Sequence, residues 1–212
     1  MKVFVVGASG RVGQELVSRL VERGVEVIAG CRTPDVITAT ENVTPVEFDV
    51  HWDIPRMAAA LEGCDAVYFV AGSRGKDLLQ TDAFGAVKLM QAAEAAGIKR
   101  FILLSSIYAL QPERWAEEAS LASITNYNIA KFFADSWLTK NTDLDWTIVQ
   151  PSVLKEEPGT GKIELDPQHD GANPIPDVAE VLAATLDQPN TIGKVILMKS
   201  GDEPIAEALA RV

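Results

Sequence analysis

A tyrosine and a lysine stand four residues apart in Tyr127-Asn128-Ile129-Ala130-Lys131, inside a stretch with helical spacing. Residues at this spacing share one face of a helix. An ammonium beside a phenol favours the phenolate, so we expect Lys131 to lower the pKa of Tyr127. Tyr127 could then pass a proton to or from a carbonyl or hydroxyl oxygen, and Ser106, at the end of a predicted strand, could hold that oxygen. The alternative is a surface pair on the helix, with Tyr127 half-buried and Lys131 solvated.

A second group of candidate residues is the glycine-rich turn Gly7-Ala8-Ser9-Gly10-Arg11-Val12-Gly13, which has the spacing G-x-x-G-x-x-G. It follows an apolar run and precedes a segment with helical spacing. Glycine lets a phosphate approach the backbone, and the N-terminus of the helix offers free N–H groups and partial positive charge. In this context the motif predicts dinucleotide binding, whereas packing alone is the alternative. The predicted cofactor-binding residues here are Gly7, Ser9, Gly10, Arg11, Val12 and Gly13.

The end of the second predicted strand bears on which dinucleotide binds. Proteins that prefer NAD usually place an acid there for the ribose 2′-hydroxyl. This chain has Ala29-Gly30-Cys31-Arg32-Thr33-Pro34 instead, and Asp35 is the first acid. Arg32 could pair with a 2′-phosphate, and Arg11 could help. We therefore expect NADP rather than NAD, unless both arginines are only solvated surface charges.

The elements that must position these residues alternate between short apolar runs and longer helical segments. Runs that are apolar on both faces, alternating with helices, predict a doubly wound α/β fold with a parallel sheet. We expect a single Rossmann domain over residues 1–212, with a loop-rich substrate-side insertion at 152–175. The predicted strands are 2–6, 25–29, 46–48, 66–70, 100–104, 146–149 and 195–198, and the predicted helices are 12–23, 55–62, 82–96, 122–139, 176–187 and 203–211.

The composition narrows the classes of partner. Acidic residues outnumber basic ones by 30 to 19 among 212 residues, for a formal charge of −11. This charge disfavours nucleic acid and anionic membrane surfaces as partners, although a few cations can still attract a small anion into a pocket. Two cysteines and no secretory signal favour a reduced, cytoplasmic location. His51 and His169 lack neighbours at metal-ligand spacing, so we expect surface residues and no metal site.

The order of these motifs resembles the short-chain dehydrogenase/reductase superfamily, and the details are similar to its atypical, NmrA-like NAD(P)-binding branch. The resemblance covers nearly the whole chain. It rests on the glycine turn, on the run 92–101 into the fifth strand, on Trp146-Thr147-Ile148-Val149-Gln150-Pro151 and on Ile175-Pro176-Asp177-Val178-Ala179. Two positions depart from the family: an arginine more often stands at Gln150, and many extended relatives have asparagine at Asp82.

The resemblance implies roles for further residues. Lys131 would hold the hydroxyls of the nicotinamide ribose, while Ser106 and Tyr127 would flank the reacting oxygen. Asp49 and Val50 would contact the adenine. Ala71 and Gly72 would line a cofactor ribose. The nicotinamide would be bordered by Pro151, Ser152 and Val153.

Three functions are compatible with these residues. The first is an NADPH-dependent reductase of a small carbonyl or conjugated substrate, with Ser106, Tyr127 and Lys131 as its catalytic set. The second is a non-enzymatic sensor that binds NADP(H) and alters a protein partner. The third is an isomerase or epimerase that retains its cofactor. The segment after Pro151 is shorter than in epimerases of nucleotide sugars, which disfavours such a substrate. The chain could be a monomer or a homodimer.

Overall fold

Eleven strands form two sheets in the computed structural model, which describes all 212 residues. Nine strands make one large sheet and two short ones make a second. The strands are β1 Lys2–Val6, β2 Glu26–Cys31, β3 Val43–Glu47, β4 Ala66–Phe69, β5 Arg100–Leu104, β6 Asp145–Pro151, β7 Val153–Lys155, β8 Lys162–Leu165, β9 Ala172–Pro174, β10 Lys194–Ser200 and β11 Glu203–Pro204.

The large sheet has the strand order β11-β8-β10-β6-β5-β4-β1-β2-β3. Every pairing from β10 to β3 is parallel, and only the pairings of β8 with β10 and with β11 are antiparallel. The chain moves outward from β1 to β2 and β3, then returns to the other side of β1 with β4. Ligands of doubly wound sheets bind beyond the carboxyl ends of the strands at such a reversal. The predicted fold class is confirmed.

Seven α-helices and a π-helical segment at Leu78–Gly85 connect the strands. The first helix ends near Gly24, whose φ of +74° suits the left-handed conformation that commonly closes a helix. The helices are α1 Arg11–Glu22, α2 Ile54–Ala60, α3 Ala86–Ala95, α4 Ala119–Ala122, α5 Thr125–Asn141, α6 Ile175–Ala184 and α7 Ile205–Ala210. Short 3-10 turns lie at Pro34–Val36, Pro112–Arg114, Thr185–Asp187 and Pro189–Thr191.

Helices cover both faces of the sheet and give the molecule two main apolar cores. One core packs Leu16 of α1 and Leu182 of α6 against the sheet. The other core packs Met57, Leu89 and Leu138, from α2, α3 and α5, against the opposite face. Because both faces are covered, the central strands are apolar on both sides, which explains why they were recognisable as continuous apolar runs.

The structure differs from the sequence-based expectation in two segments. The insertion at 152–175 contains three short strands, and one of them, β8, joins the large sheet. Its Lys162-Ile163-Glu164-Leu165 alternates polar and apolar residues, with Ile163 fully buried, so the alternation was a usable signal. The predicted helix at 82–96 is in part the π-helical segment, whose wider turn a 3.6-residue periodicity does not reveal.

None of the helices combines the length and the apolar character needed to cross a membrane.

Candidate functional site

A cavity of about 760 Å³ runs along the carboxyl ends of the central strands. Its wall begins at the end of β1 and includes residues that follow β2, β3, β4 and β5. Five basic residues and three carboxylates line it, although acids predominate in the chain as a whole. This local balance suits an anionic ligand. The lining cations are Arg11, Arg32, Arg74, Lys76 and Lys131, and the lining acids are Asp49, Asp77 and Asp82.

The glycine turn forms one end of this cavity, and its glycines are required by close backbone contacts. Gly7 has a φ of +92°, and a Cβ atom there would lie 2.6 Å from the backbone nitrogen of Ala71. A Cβ atom on Gly13 would lie 2.2 Å from the carbonyl oxygen of Gly7. The N-cap residue of α1 is Gly10, which provides no side-chain hydrogen bond to the first turn. The first N–H groups of α1 therefore have no side-chain cap, as a phosphate site requires.

Most of the predicted cofactor residues meet at this cavity. The lining includes most of the glycine turn, Arg32 and the predicted residues after β3 and β4. Gly13 does not line the cavity but packs against Gly7, which brings α1 close to the turn. The predicted residues found on the lining are Gly7, Ser9, Gly10, Arg11, Val12, Arg32, Asp49, Val50, Ala71, Gly72, Tyr127 and Lys131.

The two arginines expected at a 2′-phosphate have different surroundings. Arg32 is exposed and makes no ion pair. Arg11 forms an ion pair with Glu156, with Nη1 3.1 Å from Oε1, and this contact links the glycine turn to the segment after β7. Arg32 is thus free to meet an anionic ligand, whereas Arg11 would have to exchange Glu156 for it.

His51 was expected to be a surface residue, and it is exposed, but it also lines the rim of the cavity. Its Nδ1 lies 2.7 Å from Asp49 and its Nε2 lies 2.8 Å from Asp77. Hydrogen bonds to Asp49 and then to Asp77 raise the pKa of His51. His51 therefore joins the segment after β3 to the start of the π-helical segment, a link that no sequence spacing reveals.

Tyr127 and Lys131 lie together on α5, as the spacing predicted. The Lys131 ammonium is 5.8 Å from the centre of the Tyr127 ring and donates a hydrogen bond to the Leu104 carbonyl oxygen at 2.9 Å. Lys131 is only 3% exposed, so the alternative of a solvated surface lysine is wrong. Both residues line the cavity.

The expected direction of the Tyr127 pKa shift is wrong. Burial raises the pKa of Tyr127, and the nearby Asp82 and Asp135 carboxylates raise it further, while Lys131 lowers it without reversing the shift. Asp82 is fully buried in the π-helical segment, where its Oδ2 accepts a hydrogen bond from the Ser73 N–H at 3.1 Å. The expectation rested on the positive charge of Lys131, whereas the effects of burial, Asp82 and Asp135 on the pKa do not follow from the spacing.

Asp135 is a buried residue that the sequence analysis did not single out. It lies one helical turn beyond Lys131 on α5 and is 0% exposed. Its Oδ2 accepts hydrogen bonds from Ser105 Oγ at 2.7 Å and from Gln150 Nε2 at 2.8 Å, while Oδ1 has no partner. Burial raises the pKa of Asp135 to about 6, against the opposing effects of Ser105, Lys131 and Gln150.

Four predicted residues do not lie where the resemblance implied. Ser105, not Ser106, lines the cavity beside Lys131. Pro151, Ser152 and Val153 do not line it either, and the residue from this region that does is Leu154. Ser152 is buried, with its N–H on the Asn173 side chain at 2.9 Å, and Val153 points outward with 44% exposure. The short strand pair β7–β9 turns this segment away from the cavity, which the sequence did not reveal.

The insertion is fastened to the segment that follows β5. Tyr108 has a φ of +55°, and its hydroxyl donates a hydrogen bond to the Pro167 carbonyl oxygen at 2.7 Å. Asp177, at the start of α6, accepts hydrogen bonds from the Thr160 side chain and from the N–H groups of Thr160 and Gly161. These contacts attach the insertion to the segment after β5 and to the first turn of α6.

Comparison with known proteins agrees with this geometry. Residues 7–189 match the model of a family described as NAD(P)H-binding. The chain belongs to this NAD(P)H-binding family. The resemblance is thereby confirmed at the level of an NAD(P)H-binding family of Rossmann type, and the match extends from the glycine turn to beyond α6.

Proteins that are similar to this chain carry different names. A Bacillus subtilis protein named "Uncharacterized sugar epimerase YhfK" is 36% identical over the full length of both chains. The crystal structure of the oxidoreductase ylbE from Lactococcus lactis is 47% identical, covers 100% of this chain and 96% of its own, and superposes with a TM-score of 0.97. The structure of ChuY, an anaerobillin reductase from Escherichia coli O157:H7, is 25% identical over 95% of this chain and 98% of its own, with a TM-score of 0.81.

Proposed function

We propose that this member of the family is an NADPH-dependent reductase of a small carbonyl or conjugated substrate. The observation that carries the proposal is that Tyr127 and Lys131 line the same cavity as the glycine turn. A phosphate site and a proton-donor candidate on one continuous wall are what such a reductase requires. The reductase among the structural relatives supports this class of reaction.

The residues present fit a nicotinamide dinucleotide. The uncapped N-terminus of α1, reached over Gly7 and Gly10, would hold the pyrophosphate. Arg32 would pair with a 2′-phosphate, and Lys131 would hold ribose hydroxyls. When bound, the cofactor supplies the hydride of the reduction. Asp49, Val50, Ala71 and Gly72 would flank the adenosine and a ribose.

Tyr127 is proposed as the proton donor to the substrate oxygen. Its raised pKa keeps the hydroxyl protonated at neutral pH but also makes it a weaker acid, so proton donation depends on groups that stabilise the phenolate. Lys131, buried beside it, offsets the charge that develops on the phenolic oxygen as the proton leaves. Ser105 lines the cavity and Ser106 does not, but the Ser105 hydroxyl already donates its hydrogen bond to Asp135. We therefore retain Ser106, which is partly exposed, as the residue that orients the substrate oxygen, with Ser105 as its competitor.

The test is a comparison of Tyr127→Phe with the wild-type protein in a screen of small carbonyl compounds, following NADPH consumption. We expect turnover to fall by at least ~10²-fold, the scale of general acid–base catalysis, while NADPH affinity stays close to wild type. Ser105→Ala and Ser106→Ala form a matched pair, and the larger loss identifies the orienting hydroxyl. Unimpaired turnover in Tyr127→Phe would remove the proton-donor role.

A cofactor-retaining epimerase is the second candidate, favoured by the name of the Bacillus subtilis relative. Such an enzyme keeps its dinucleotide through the whole cycle. It therefore predicts that nucleotide stays bound during purification and that no net NADPH is consumed. If the nucleotide is released on simple dialysis and NADPH is consumed in the carbonyl screen, the result favours the reductase over the epimerase.

A further inference from the structure

Three ionisable residues follow one another along α5 at intervals of four. Tyr127 and Lys131 face the cavity, and Asp135 lies one turn further, in the interior. Residues four apart lie above one another on a helix, so the order is phenol, ammonium, carboxylate along one face. The last member is far from water and has a different set of partners from the first two.

The partners of Asp135 come from two neighbouring strands. Ser105, directly after β5, and Gln150, in β6, both donate hydrogen bonds to Oδ2, at 2.7 and 2.8 Å. Ser105 itself lines the cavity. Asp135 therefore fastens the helix that carries Tyr127 and Lys131 to the ends of the two strands beside them.

No cation forms an ion pair with this carboxylate. Its hydrogen-bond donors are a neutral hydroxyl and a neutral amide, and Oδ1 is unpartnered. Lys131, for its part, is buried with a carbonyl oxygen as its hydrogen-bond partner. Isolated buried charges are costly, so each of these two charges is stabilised by having the opposite charge one turn away.

We propose that Asp135 is a positioning residue for the Tyr127–Lys131 pair, holding α5 on Ser105 and Gln150 and placing a buried negative charge behind the Lys131 ammonium. The proposal rests on the proposed function, because it assigns Asp135 a task for that same pair. Asp135 acts through Lys131 and Ser105 and does not line the cavity.

The charge of Asp135 has a definite consequence for Tyr127. The groups that face this helix segment are Lys131 and Tyr127 on α5 itself, Ser105 and Gln150 from the strands, and Asp82 from the π-helical segment. Lys131 favours the phenolate, and the two carboxylates oppose it. Without the negative charge of Asp135, the positive charge of Lys131 acts on the Tyr127 phenol with less opposition. Tyr127 should then ionise at lower pH.

Fluorine NMR of the full-length protein labelled with meta-fluorotyrosine measures this directly. The chain has three tyrosines, and Tyr127→Phe identifies the resonance of interest. Fluorine makes the phenol more acidic, which lowers the pH at which each tyrosine titrates, and circular dichroism over the same pH range checks that the protein stays folded. We expect Asp135→Asn to move the midpoint of Tyr127 to lower pH, and Asp135→Glu, which restores the charge, to return it toward the wild-type value.

Ser136→Ala is the matched control, because Ser136 is the next residue on α5 and its hydroxyl is buried without a partner. Asp135→Ser replaces Asp135→Asn if the latter fails to fold. An unchanged Tyr127 midpoint in a folded neutral variant overturns the proposal, and so does an equal shift in Ser136→Ala. The titration needs neither cofactor nor substrate, so a failure of the proposed function shows separately, as absent NADPH binding by the same wild-type sample.

Discussion

The two ends of the cavity differ in the groups that form them, which are backbone groups at one end and ionisable side chains at the other. At the glycine turn, the backbone itself forms the site, with a glycine carbonyl and a helix N-terminus in close contact and exposed arginines at the rim. At the other end, the site consists of side chains with ionisable groups, and Lys131 and Asp135 are almost without exposure. One end depends on close backbone packing, and the other depends on the balance of buried charges.

This difference governs how the two ends should respond to change. A backbone site tolerates exchange of surface charges but not the addition of a single carbon atom at a close contact. A buried ionic site tolerates small changes of volume but responds strongly to a change of charge. Substitutions that separate these two responses test whether the comparison is correct.

The largest effect is expected for Gly13→Ala. The added Cβ atom would lie 2.2 Å from the Gly7 carbonyl oxygen, so α1 must move away from the turn. Overpacking against rigid backbone costs about 1–3 kcal/mol of folding stability. Because the shift of α1 also displaces the N–H groups of the phosphate site, NADPH affinity should fall by about 100-fold. Isothermal titration calorimetry measures the loss, with thermal unfolding as a check on the fold.

Gly63→Ala is the control for this substitution. Gly63 has a φ of +76° but open space around its Cβ position, so alanine there meets only conformational strain of about 1 kcal/mol. NADPH affinity should stay at the wild-type level. If Gly13→Ala binds as well as Gly63→Ala does, the turn is not the phosphate site.

The next effect concerns stability at the buried end. Because the folded-state pKa of Asp135 is raised to about 6 from an ordinary 3.8, its carboxylate form disfavours folding. This cost is absent below the ordinary pKa, grows as pH rises to about 6 and is constant above. Asp135→Asn removes this titration, so the stability of the variant relative to wild type should rise by about 3 kcal/mol between about pH 4 and pH 6 and stay constant to pH 8. The loss of the negative charge beside Lys131 adds a cost that does not vary with pH over this range.

Urea denaturation across that pH range measures this gain. Ser136→Ala again serves as control, and its difference from wild type should not vary with pH. A constant difference between Asp135→Asn and wild type would mean that Asp135 does not change its charge in this range. A gain in stability at neutral pH together with a shifted titration midpoint of Tyr127 would be the expected trade-off at a functional site.

Arg32→Ala should have a smaller and more selective effect. The guanidinium is exposed, so its charge-assisted hydrogen bonds to a 2′-phosphate are screened, and NADPH affinity should fall about tenfold. NADH affinity should not change. Arg19→Ala removes a surface arginine outside the cavity and should leave both affinities intact. Equal losses for NADPH and NADH would show that Arg32 does not recognise the 2′-phosphate.

The smallest effect is expected at the rim, for His51→Gln. Asp49 and Asp77 raise the pKa of His51, so its stabilising charge is present below its ordinary pKa of 6.5 and lost as pH rises through the raised value. Because solvent screens this exposed group, the substitution should lower the free energy of unfolding by less than about 1 kcal/mol, and this loss should vanish at alkaline pH. Thermal unfolding as a function of pH checks this, and a loss that persists at alkaline pH contradicts it.

The sequence allowed most of the fold and the backbone end of the site to be predicted. Apolar runs between helices indicated the parallel sheet, and a glycine motif after the first strand indicated the turn, because both are local patterns. The surroundings of Tyr127 could not be predicted this way. Asp82 reaches it from the π-helical segment, and Asp135 lies two turns further along α5 itself. The effect of both acids depends on burial, which only the packed structure shows. The sequence likewise did not reveal that Ser105, rather than Ser106, lines the cavity.

The most direct test of the central claim is a fluorescence titration of cofactor-stripped, full-length protein with NADPH and, separately, with NADH. The claim is that one cavity binds the phosphates at the glycine turn, recognises a 2′-phosphate through Arg32 and presents Tyr127 to a substrate. It predicts micromolar binding of NADPH and much weaker binding of NADH. Binding of neither dinucleotide would contradict the claim, and NADH binding as tight as that of NADPH would remove the role of Arg32.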